Sequence, residues 1–190
     1  MQRVRLNGVK DIIYWVIIPI VSVILLIVLD QLTKIWFTDL YQESGNTVFI
    51  EEILSFTYVE NTGSAFGWLS NKGWAQTFFK IITVVSLFAF IAIYFYAIIK
   101  RLKTLAVSII LIISGTIGNF IDRLMLSYVR DFIKFDFVNF AIFNFADMLL
   151  TFGVIAFIVH FCFFDDNALF RKAPIQKSEE TIKEEVESER

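Results

Sequence analysis

The chain has 190 residues, of which 57% are hydrophobic and 22 are Phe, and its formal net charge is −2. A soluble domain of this size cannot bury so much apolar surface, so the composition excludes an ordinary soluble globular protein. The single Cys162 and the single His160 exclude a disulfide, a Cys/His nucleophile pair and a zinc cluster.

Four apolar runs follow one another along the chain and are long enough to cross a membrane. They cover roughly residues 12–37, 77–99, 104–125 and 140–164. Crossing about 30 Å of hydrocarbon takes about 20 helical residues, and continuous runs favour helices over the alternating strands of a barrel. The first run is too long for the apolar region of a signal peptide and lacks a small-residue cleavage site, so we expect it to be retained. The sequence therefore predicts an all-α membrane protein with four transmembrane helices.

The distribution of basic residues predicts the orientation of these helices. Lys and Arg collect on the cytoplasmic side of membrane proteins. In this chain they lie before the first span, between the second and third spans, and after the fourth, at Arg3, Arg5, Lys10, Lys100, Arg101, Lys103, Arg171, Lys172 and Lys177. We therefore expect both termini to be cytoplasmic and the other connecting segments to face outward.

The outward segment at about residues 44–75 has a β-rich pattern. Residues 47–59 are rich in β-branched and aromatic side chains with partial alternation, and they lead into the turn signal Asn61-Thr62-Gly63. This pattern predicts a small extracytoplasmic sheet on the outer interface of the membrane.

The composition changes abruptly after Phe164. Residues 167–190 are rich in Asp, Glu, Lys and Ser, and such a segment cannot bury enough apolar surface to fold alone. We therefore expect a four-helix integral membrane domain over residues 1–166 and an acidic, disordered cytoplasmic tail over residues 167–190.

The third span carries polar residues next to small ones. Gly115 and Gly118 allow a neighbouring helix to approach closely, while Asn119, Asp122 and Arg123 are polar at membrane depth. Asn119 and Asp122 are three residues apart and share a helix face. We interpret this group as a hydrogen-bonded cluster in which Asp122 pairs with Arg123 or with another cation.

The first span carries an acid and a base one helical turn apart. Lys34 follows Asp30 by four residues, so the two can form an ion pair, or Lys34 can extend towards the lipid headgroups. Both interpretations are open from the sequence.

Carboxylates near the outer rim are the candidates for chemistry, because ionisable groups in a membrane are costly and usually functional. Asp147 lies near the outer end of the fourth span, and either Asp122 or Asp131 can be its partner. On one continuous helix these two would lie on nearly opposite faces and about 14 Å apart along the axis, so only one can pair with Asp147. Their predicted depth favours Asp131 but leaves both open.

Five motifs in this order resemble the lipoprotein signal peptidases, the type II signal peptidases of bacteria. The resemblance spans nearly the whole membrane region, and the motifs are Asp30-Gln31-Leu32-Thr33-Lys34, Asn61-Thr62-Gly63-Ser64-Ala65-Phe66-Gly67, Gly118-Asn119-Phe120-Ile121-Asp122-Arg123, Val129-Arg130-Asp131-Phe132 and Phe143-Asn144-Phe145-Ala146-Asp147. The chain departs from the family pattern at Arg130, where an apolar residue is common, and in residues 140–143, which lack a common Pro.

This resemblance implies an aspartyl endopeptidase that removes signal peptides from prolipoproteins, cutting before a diacylglyceryl-modified cysteine in the bacterial cytoplasmic (inner) membrane. It implies Asp131 and Asp147 as the catalytic pair that activates a water. The positions that it implies as supporting or substrate-ordering are Asp30, Lys34, Asn61, Gly63, Asn119, Asp122, Arg123 and Asn144. No metal or organic cofactor is expected, and the expected partners are lipid-modified prolipoproteins and membrane lipids, with no nucleic acid.

Two alternatives to an enzyme use the same carboxylates. In a small transporter, Asp122, Asp131 and Asp147 would form a proton relay. In a membrane assembly protein, they would form structural ion pairs with Lys34, Arg123 and Arg130. Both alternatives predict that Asp→Asn substitutions are better tolerated than in a peptidase, whose carboxylates must titrate.

Overall fold

Four helices in the computed structural model are long and apolar enough to cross a membrane. The structure describes residues 8–63 and 74–164, so the predicted tail at 167–190 and residues 64–73 of the outward segment lie outside the described residues. The chain divides into two compact units, Met1–Phe157 and Ile158–Arg190. In the described part of the second unit, the rings of His160 and Phe161 meet edge to face with their centroids 5.3 Å apart.

The helix bounds agree with the predicted spans to within a few residues, except at two ends. The helices are α1 (Val9–Ser44), α2 (Ala75–Lys100), α3 (Lys103–Met125) and α4 (Phe145–Phe164). Helix α1 has a π-helical stretch at Ile13–Ile17 and continues beyond the predicted end at residue 37. The predicted all-α membrane architecture with four spans is confirmed.

Helix α3 is the central helix of the first unit. Half of its most apolar stretch is buried within the protein, against 6% for α2, whose side chains are left for lipid. Leu105, Ile109 and Ile112 on α3 form a core with Trp15 and Ala97. Small residues on α3 bring α4 close, as predicted for residues 115 and 118, because a Cβ at either glycine would collide with α4 or α1.

A three-stranded antiparallel sheet in the order β1-β2-β3 adjoins the helices, with strands at Thr47–Ile50 (β1), Leu54–Asn61 (β2) and Val129–Phe135 (β3). The predicted β-rich segment is therefore confirmed, and it gains a third strand from the chain after α3. Phe37 of α1 joins sheet to helices, since its ring centroid lies 4.3 Å from those of Phe56 and Phe132.

The prediction that the fourth span begins at residue 140 was wrong. Residues 140–144 precede α4, and the backbone of Phe143 instead pairs with Ile133 of β3. The N–H of Ile133 donates to the carbonyl of Phe143 at 2.8 Å, and the N–H of Phe143 donates to the carbonyl of Ile133 at 3.1 Å. Extended pairing and a helix are incompatible backbone conformations, so the helix begins only at Phe145.

Candidate active site

Asp131 lies on β3 and is buried, with 2% of the residue exposed. Two side-chain amides donate hydrogen bonds to its carboxylate. Asn61 Nδ2 donates to Asp131 Oδ2 at 2.8 Å, and Asn144 Nδ2 donates to Asp131 Oδ1 at 2.6 Å. Burial, followed by the nearby charge of Asp147, raises the pKa of Asp131 to about 7, although both amide hydrogen bonds act to lower it. Asp131 is therefore a carboxyl that can change its protonation state near neutral pH.

Asp147 lies in the first turn of α4 and is held by reciprocal hydrogen bonds with Asn144. The backbone N–H of Asn144 donates to Asp147 Oδ2, and the backbone N–H of Asp147 donates to Asn144 Oδ1, both at 3.0 Å. This arrangement is a capping box, which satisfies N–H groups at the start of a helix. Local helix capping therefore fixes the position of Asp147 relative to Asn144.

Asn119 and Asn144 connect the two carboxylates. Asn119 Nδ2 donates to Asp147 Oδ1 at 2.8 Å, and Asn119 Oδ1 accepts from Asn144 Nδ2 at 3.1 Å. Lys34 Nζ also donates to Asn119 Oδ1 at 3.0 Å, and because an ammonium cannot accept a hydrogen bond it fixes which end of the amide faces Asp147.

Asp131 and Asp147 line one cavity of about 640 Å³. Asn61, Asn119 and Arg123 contribute the other charged or amide groups, and most of the remaining wall is apolar, including Phe135, Phe140, Ile142, Phe143, Met148 and Phe152. Apolar cavities with a few convergent polar groups are typical of ligand sites. This one can hold an extended apolar segment against two carboxylates.

Arg123 belongs to this cavity and not to an ion pair with Asp122. Its guanidinium lies over the Phe79 ring at 5.2 Å, and within the described part of the chain its Nε has no hydrogen-bond partner. Asp122 instead pairs with Lys34 at 3.5 Å and with Arg130 at 2.8 Å. The predicted pairing of Asp122 with a cation is confirmed, but the cations come from α1 and β3.

Asp30, Lys34 and Asp122 form a second, fully buried cluster behind the cavity wall. Lys34 Nζ lies 2.9 Å from Asp30 Oδ2, so the ion pair is formed and Lys34 does not extend to the headgroups. Asp30 Oδ1 accepts from the backbone N–H of Ala146 at 2.9 Å, which joins α1 to the start of α4.

The remaining predicted position, Gly63, supports Asn61. The N–H of Gly63 donates to Asn61 Oδ1 at 3.0 Å, a local turn that orients the Asn61 amide towards Asp131. Sequence reasoning missed Gln31, whose amide contacts Asp30, Gly118 and Asp122. Its position next to Asp30 on a membrane helix was the available signal.

The structure thus brings Asp131, and not Asp122, into the cavity with Asp147. Among residues 8–63 and 74–164, no group of three or more His, Cys, Asp or Glu side chains is placed to hold a metal ion. A bundle of apolar helices with an adjoining strand, which together present two amide-held carboxylates to one largely apolar cavity, fits the class of membrane-embedded aspartic peptidases.

Comparison with known proteins gives the family. The family model described as signal peptidase (SPase) II matches residues 22–163. The chain belongs to the signal peptidase II family and is an aspartic peptidase of the membrane.

Several curated bacterial relatives and solved structures are similar to the chain. The lipoprotein signal peptidase of Streptococcus agalactiae serotype Ia is 46% identical over 144 residues, covering 76% of this chain and 90% of the relative. That of Streptococcus pyogenes serotype M5 is 48% identical over 143 residues, covering 74% and 90%. A bacterial membrane enzyme solved by the in meso method aligns with a TM-score of 0.67 and 31% identity, covering 84% of this chain and 96% of that one.

Proposed function

We propose that this protein removes signal peptides from prolipoproteins, cutting before a diacylglyceryl-modified cysteine, with Asp131 and Asp147 as the catalytic pair. The relatives named as lipoprotein signal peptidases support the substrate class. The single observation that carries the catalytic assignment is that both carboxylates line one cavity and are bridged by Asn119 and Asn144.

One carboxyl group of the pair acts as the general base and the other as the general acid. Two neighbouring carboxylates repel one another when both are ionised, and the chemistry of this class needs one protonated and one ionised member. The ionised member takes a proton from a water as that water attacks the scissile carbonyl carbon. The protonated member polarises the carbonyl oxygen and then donates its proton to the leaving amine nitrogen as the C–N bond breaks.

Three asparagines and one arginine support this pair. Asn61, Asn119 and Asn144 hold the carboxylates with neutral donors, and in the described part of the chain no cation lies within ion-pair distance of either carboxylate. Arg123 also lines the cavity, and its Nε has no hydrogen-bond partner among the described residues, so we assign its guanidinium to binding a carbonyl of the substrate backbone.

The proposed membrane arrangement follows from the positions of the spans. Asp131 lies in the segment that follows α3, and Asp147 lies in the first turn of α4. Both therefore come after the end of α3 that is opposite the basic turn Lys100–Lys103. Basic turns favour the cytoplasmic side, so both termini and the acidic tail at 167–190 would be cytoplasmic, and the site would face outward in the bacterial cytoplasmic membrane. The acyl chains of the substrate would then remain in the bilayer while its cleavage site reaches the outer rim.

The test is cleavage of a diacylglyceryl-modified prolipoprotein by the purified protein in lipid or detergent. The parent is compared with Asp131→Asn and Asp147→Asn, each checked for folding by thermal unfolding. Asp136→Asn is the matched control, since Asp136 is an exposed carboxylate just past the same strand and bonds Ser55 and Lys134. We expect cleavage by the parent and the control, and none by the other two.

Two results would reject this proposal. Cleavage by a folded Asp131→Asn protein, together with its loss in a folded Asp122→Asn protein, would show that the wrong pair was chosen. A parent that never cleaves the modified substrate would favour a proton relay or an assembly role.

A further inference from the structure

Arg130 precedes Asp131 on β3 and makes an unusually complete contact with Asp122. Its Nη2 donates to Asp122 Oδ1 at 2.8 Å, its Nε donates to Asp122 Oδ2 at 3.2 Å, and its backbone N–H donates to Asp122 Oδ2 at 3.0 Å. Nη2 also donates to Gln31 Oε1 at 3.0 Å. One residue of the strand is therefore fixed to both α1 and α3 through a bidentate arginine contact, which is among the stronger and more directional ion pairs.

Adjacent strand residues point to opposite faces, so this contact lies behind the catalytic cavity. Asp131 lines the cavity, while Arg130 is directed to Asp122, whose side chain is 0% exposed. The contact therefore leaves the substrate space untouched and acts only on the backbone that carries Asp131.

The charges in the buried cluster balance only when Arg130 is counted. Asp30 and Asp122 are negative, and Lys34 is the cation that both share, at 2.9 and 3.5 Å. Lys34 alone would leave the cluster with one uncompensated negative charge, and Arg130 brings it to zero. An uncompensated buried charge is strongly unfavourable, so the cluster depends on both cations.

The same cluster reaches the second carboxylate through Lys34. Lys34 Nζ holds Asn119 Oδ1, and the other end of that amide donates to Asp147 Oδ1. With Arg130 making the shorter contact to Asp122, at 2.8 Å against 3.5 Å for Lys34, Lys34 lies closer to Asp30 and Asn119, at 2.9 and 3.0 Å. Without Arg130, Asp122 would compete for Lys34 and draw it away from Asn119.

We infer that Arg130 is a positioning residue for the peptidase: by neutralising Asp122 from behind, it holds the strand that bears Asp131 and keeps Lys34 on the amide that orients Asp147. This inference rests on the proposed function, because it assigns Arg130 a role in that same site. Arg130 touches neither carboxylate of the pair with its side chain and is not itself catalytic.

The charged groups around Asp131 and Asp122 determine how the loss of the Arg130 charge would affect the site. Asp131 is acted on by Asp147 of α4, Lys34 of α1 and Arg123 of α3, with the neutral amides of Asn61 and Asn144 in contact. Asp122 is faced by Asp30, Gln31 and Lys34 from α1, by Arg130 from β3, and by Arg123 on its own helix. Removing the Arg130 charge adds net negative charge to this neighbourhood, which favours the protonated form of a carboxyl and so raises the pKa of Asp131.

The experiment compares prolipoprotein cleavage by the parent, Arg130→Gln and Arg130→Lys across pH, with Lys134→Gln as the matched control. Lys134 is an exposed cation four residues after Arg130 on the same face of the strand, and it pairs with Asp136. We expect Arg130→Gln to lower kcat about tenfold or more with little change in KM, because the interaction lost acts on the reacting groups and not on binding. Its pH–rate profile should move to higher pH.

Arg130→Lys separates charge from geometry. It keeps the positive charge and loses the bidentate fork, so its pH–rate profile should stay near that of the parent while kcat falls by about threefold to tenfold. Asp122→Asn combined with Arg130→Gln removes both partners and returns the cluster to neutrality, so the profile should move back towards the parent. Lys134→Gln should match the parent.

A folded Arg130→Gln protein with the kcat and pH–rate profile of the parent would overturn the inference. If Arg130→Gln does not fold, Arg130→Lys decides, and parental kcat in that variant would overturn it. Failure of the proposed function is distinguishable, because it would appear as cleavage by Asp131→Asn or as no cleavage by the parent.

Discussion

Two pairs of carboxylates lie close together in this protein and are held in opposite ways. Asp30 and Asp122 are paired with cations, Lys34 and Arg130, at distances of 2.8 to 3.5 Å. Asp131 and Asp147 are held by asparagine amides, and within residues 8–63 and 74–164 neither has a cation within ion-pair distance.

The choice of partner decides what each pair can do. A cation holds a buried carboxylate in its ionised form, which suits a group that only joins helices. A neutral amide also orients the carboxylate oxygens, but it favours the ionised form much less than a cation does. A carboxyl group held in this way can still gain and lose a proton. In this protein the donors that hold a buried carboxylate, and not its depth, therefore distinguish a structural role from a chemical one.

The largest expected effect comes from removing a titrating member of the amide-held pair. Asp131→Asn should lower turnover by on the order of 10³-fold, because general acid–base catalysis is lost while the neighbouring amides remain. The measurement is cleavage of the modified prolipoprotein under single-turnover conditions. Parental turnover in the folded variant would show that the two pairs do not differ in role.

The same variant makes a prediction about stability and pH. The folded-state pKa of Asp131 is raised to about 7 from its ordinary value of 3.8, so the parent loses stability as pH rises from about 4 to about 7, where the unfolded chain has released the proton and the folded protein has not. Asp131→Asn lacks this loss. Thermal unfolding should therefore show a stability difference in favour of the variant that grows over this pH range and is small below it.

Removing a cation from the cation-held pair of Asp30 and Asp122 should lower the free energy of unfolding. Lys34→Met leaves Asp30 and Asp122 buried beside one another with a single cation, and we expect a loss of roughly 3–5 kcal/mol. Chemical denaturation in detergent measures it. Lys134→Met is the control, because the pair of Lys134 with Asp136 is at the surface and its removal should change stability little.

A smaller loss of stability is expected from Gly118→Ala. A Cβ at this position would lie 2.5 Å from Asp30 Oδ2 and 3.2 Å from Ala146 Cβ, so it would push on the contact that joins α1, α3 and α4. Overpacking of this kind costs about 1–3 kcal/mol. The sign of the change is diagnostic, since the same substitution in an open helix stabilises by about 0.5–1 kcal/mol.

A weaker effect is expected from removing one of the amides that hold Asp131. Asn61→Ala removes one of the two amide donors to Asp131, which act to lower its pKa. We expect the pKa of Asp131 to rise further, so the pH–rate profile should move to higher pH with a loss of about tenfold in activity at neutral pH. An unchanged profile would mean that Asn61 only shapes the turn at Gly63.

The membrane spans were predictable because one physical requirement, about 20 apolar residues per crossing, decides them locally. Strand β3 was not predicted, because its partner β2 is distant in sequence: the hydrogen bond from Asn61 to Asp131 joins residues 70 positions apart. The start of α4 was misplaced for a similar reason, since the pairing of Phe143 with Ile133 cannot be read from an apolar run.

In the candidate site, too, some features could be predicted from the local sequence and others depend on contacts between distant segments. The carboxylates Asp122, Asp131 and Asp147 could be selected from the sequence, because ionisable residues in or next to a membrane span are conspicuous. Supporting positions such as Asn61 and Asn144 were implied by the resemblance to the family motifs. The partners of the carboxylates could not be selected, since Arg130 and Lys34 converge on Asp122 only after β3 has paired and α1 has packed on α3. The choice between Asp122 and Asp131 as the companion of Asp147 depended on this pairing and not on depth.

The pairing of β2 with β3 has a consequence for biosynthesis. A growing chain that has reached the end of α3 at Met125 already holds Asn61 and Asn119, but it holds neither Asp131 nor Asp147. The strand with Asp131 comes next, and the Asn144 amide that fixes it arrives only with the residues that begin the last helix. The proposed hydrolytic centre is therefore completed only by the final span, so on this assignment a partly translated molecule would lack a complete catalytic pair.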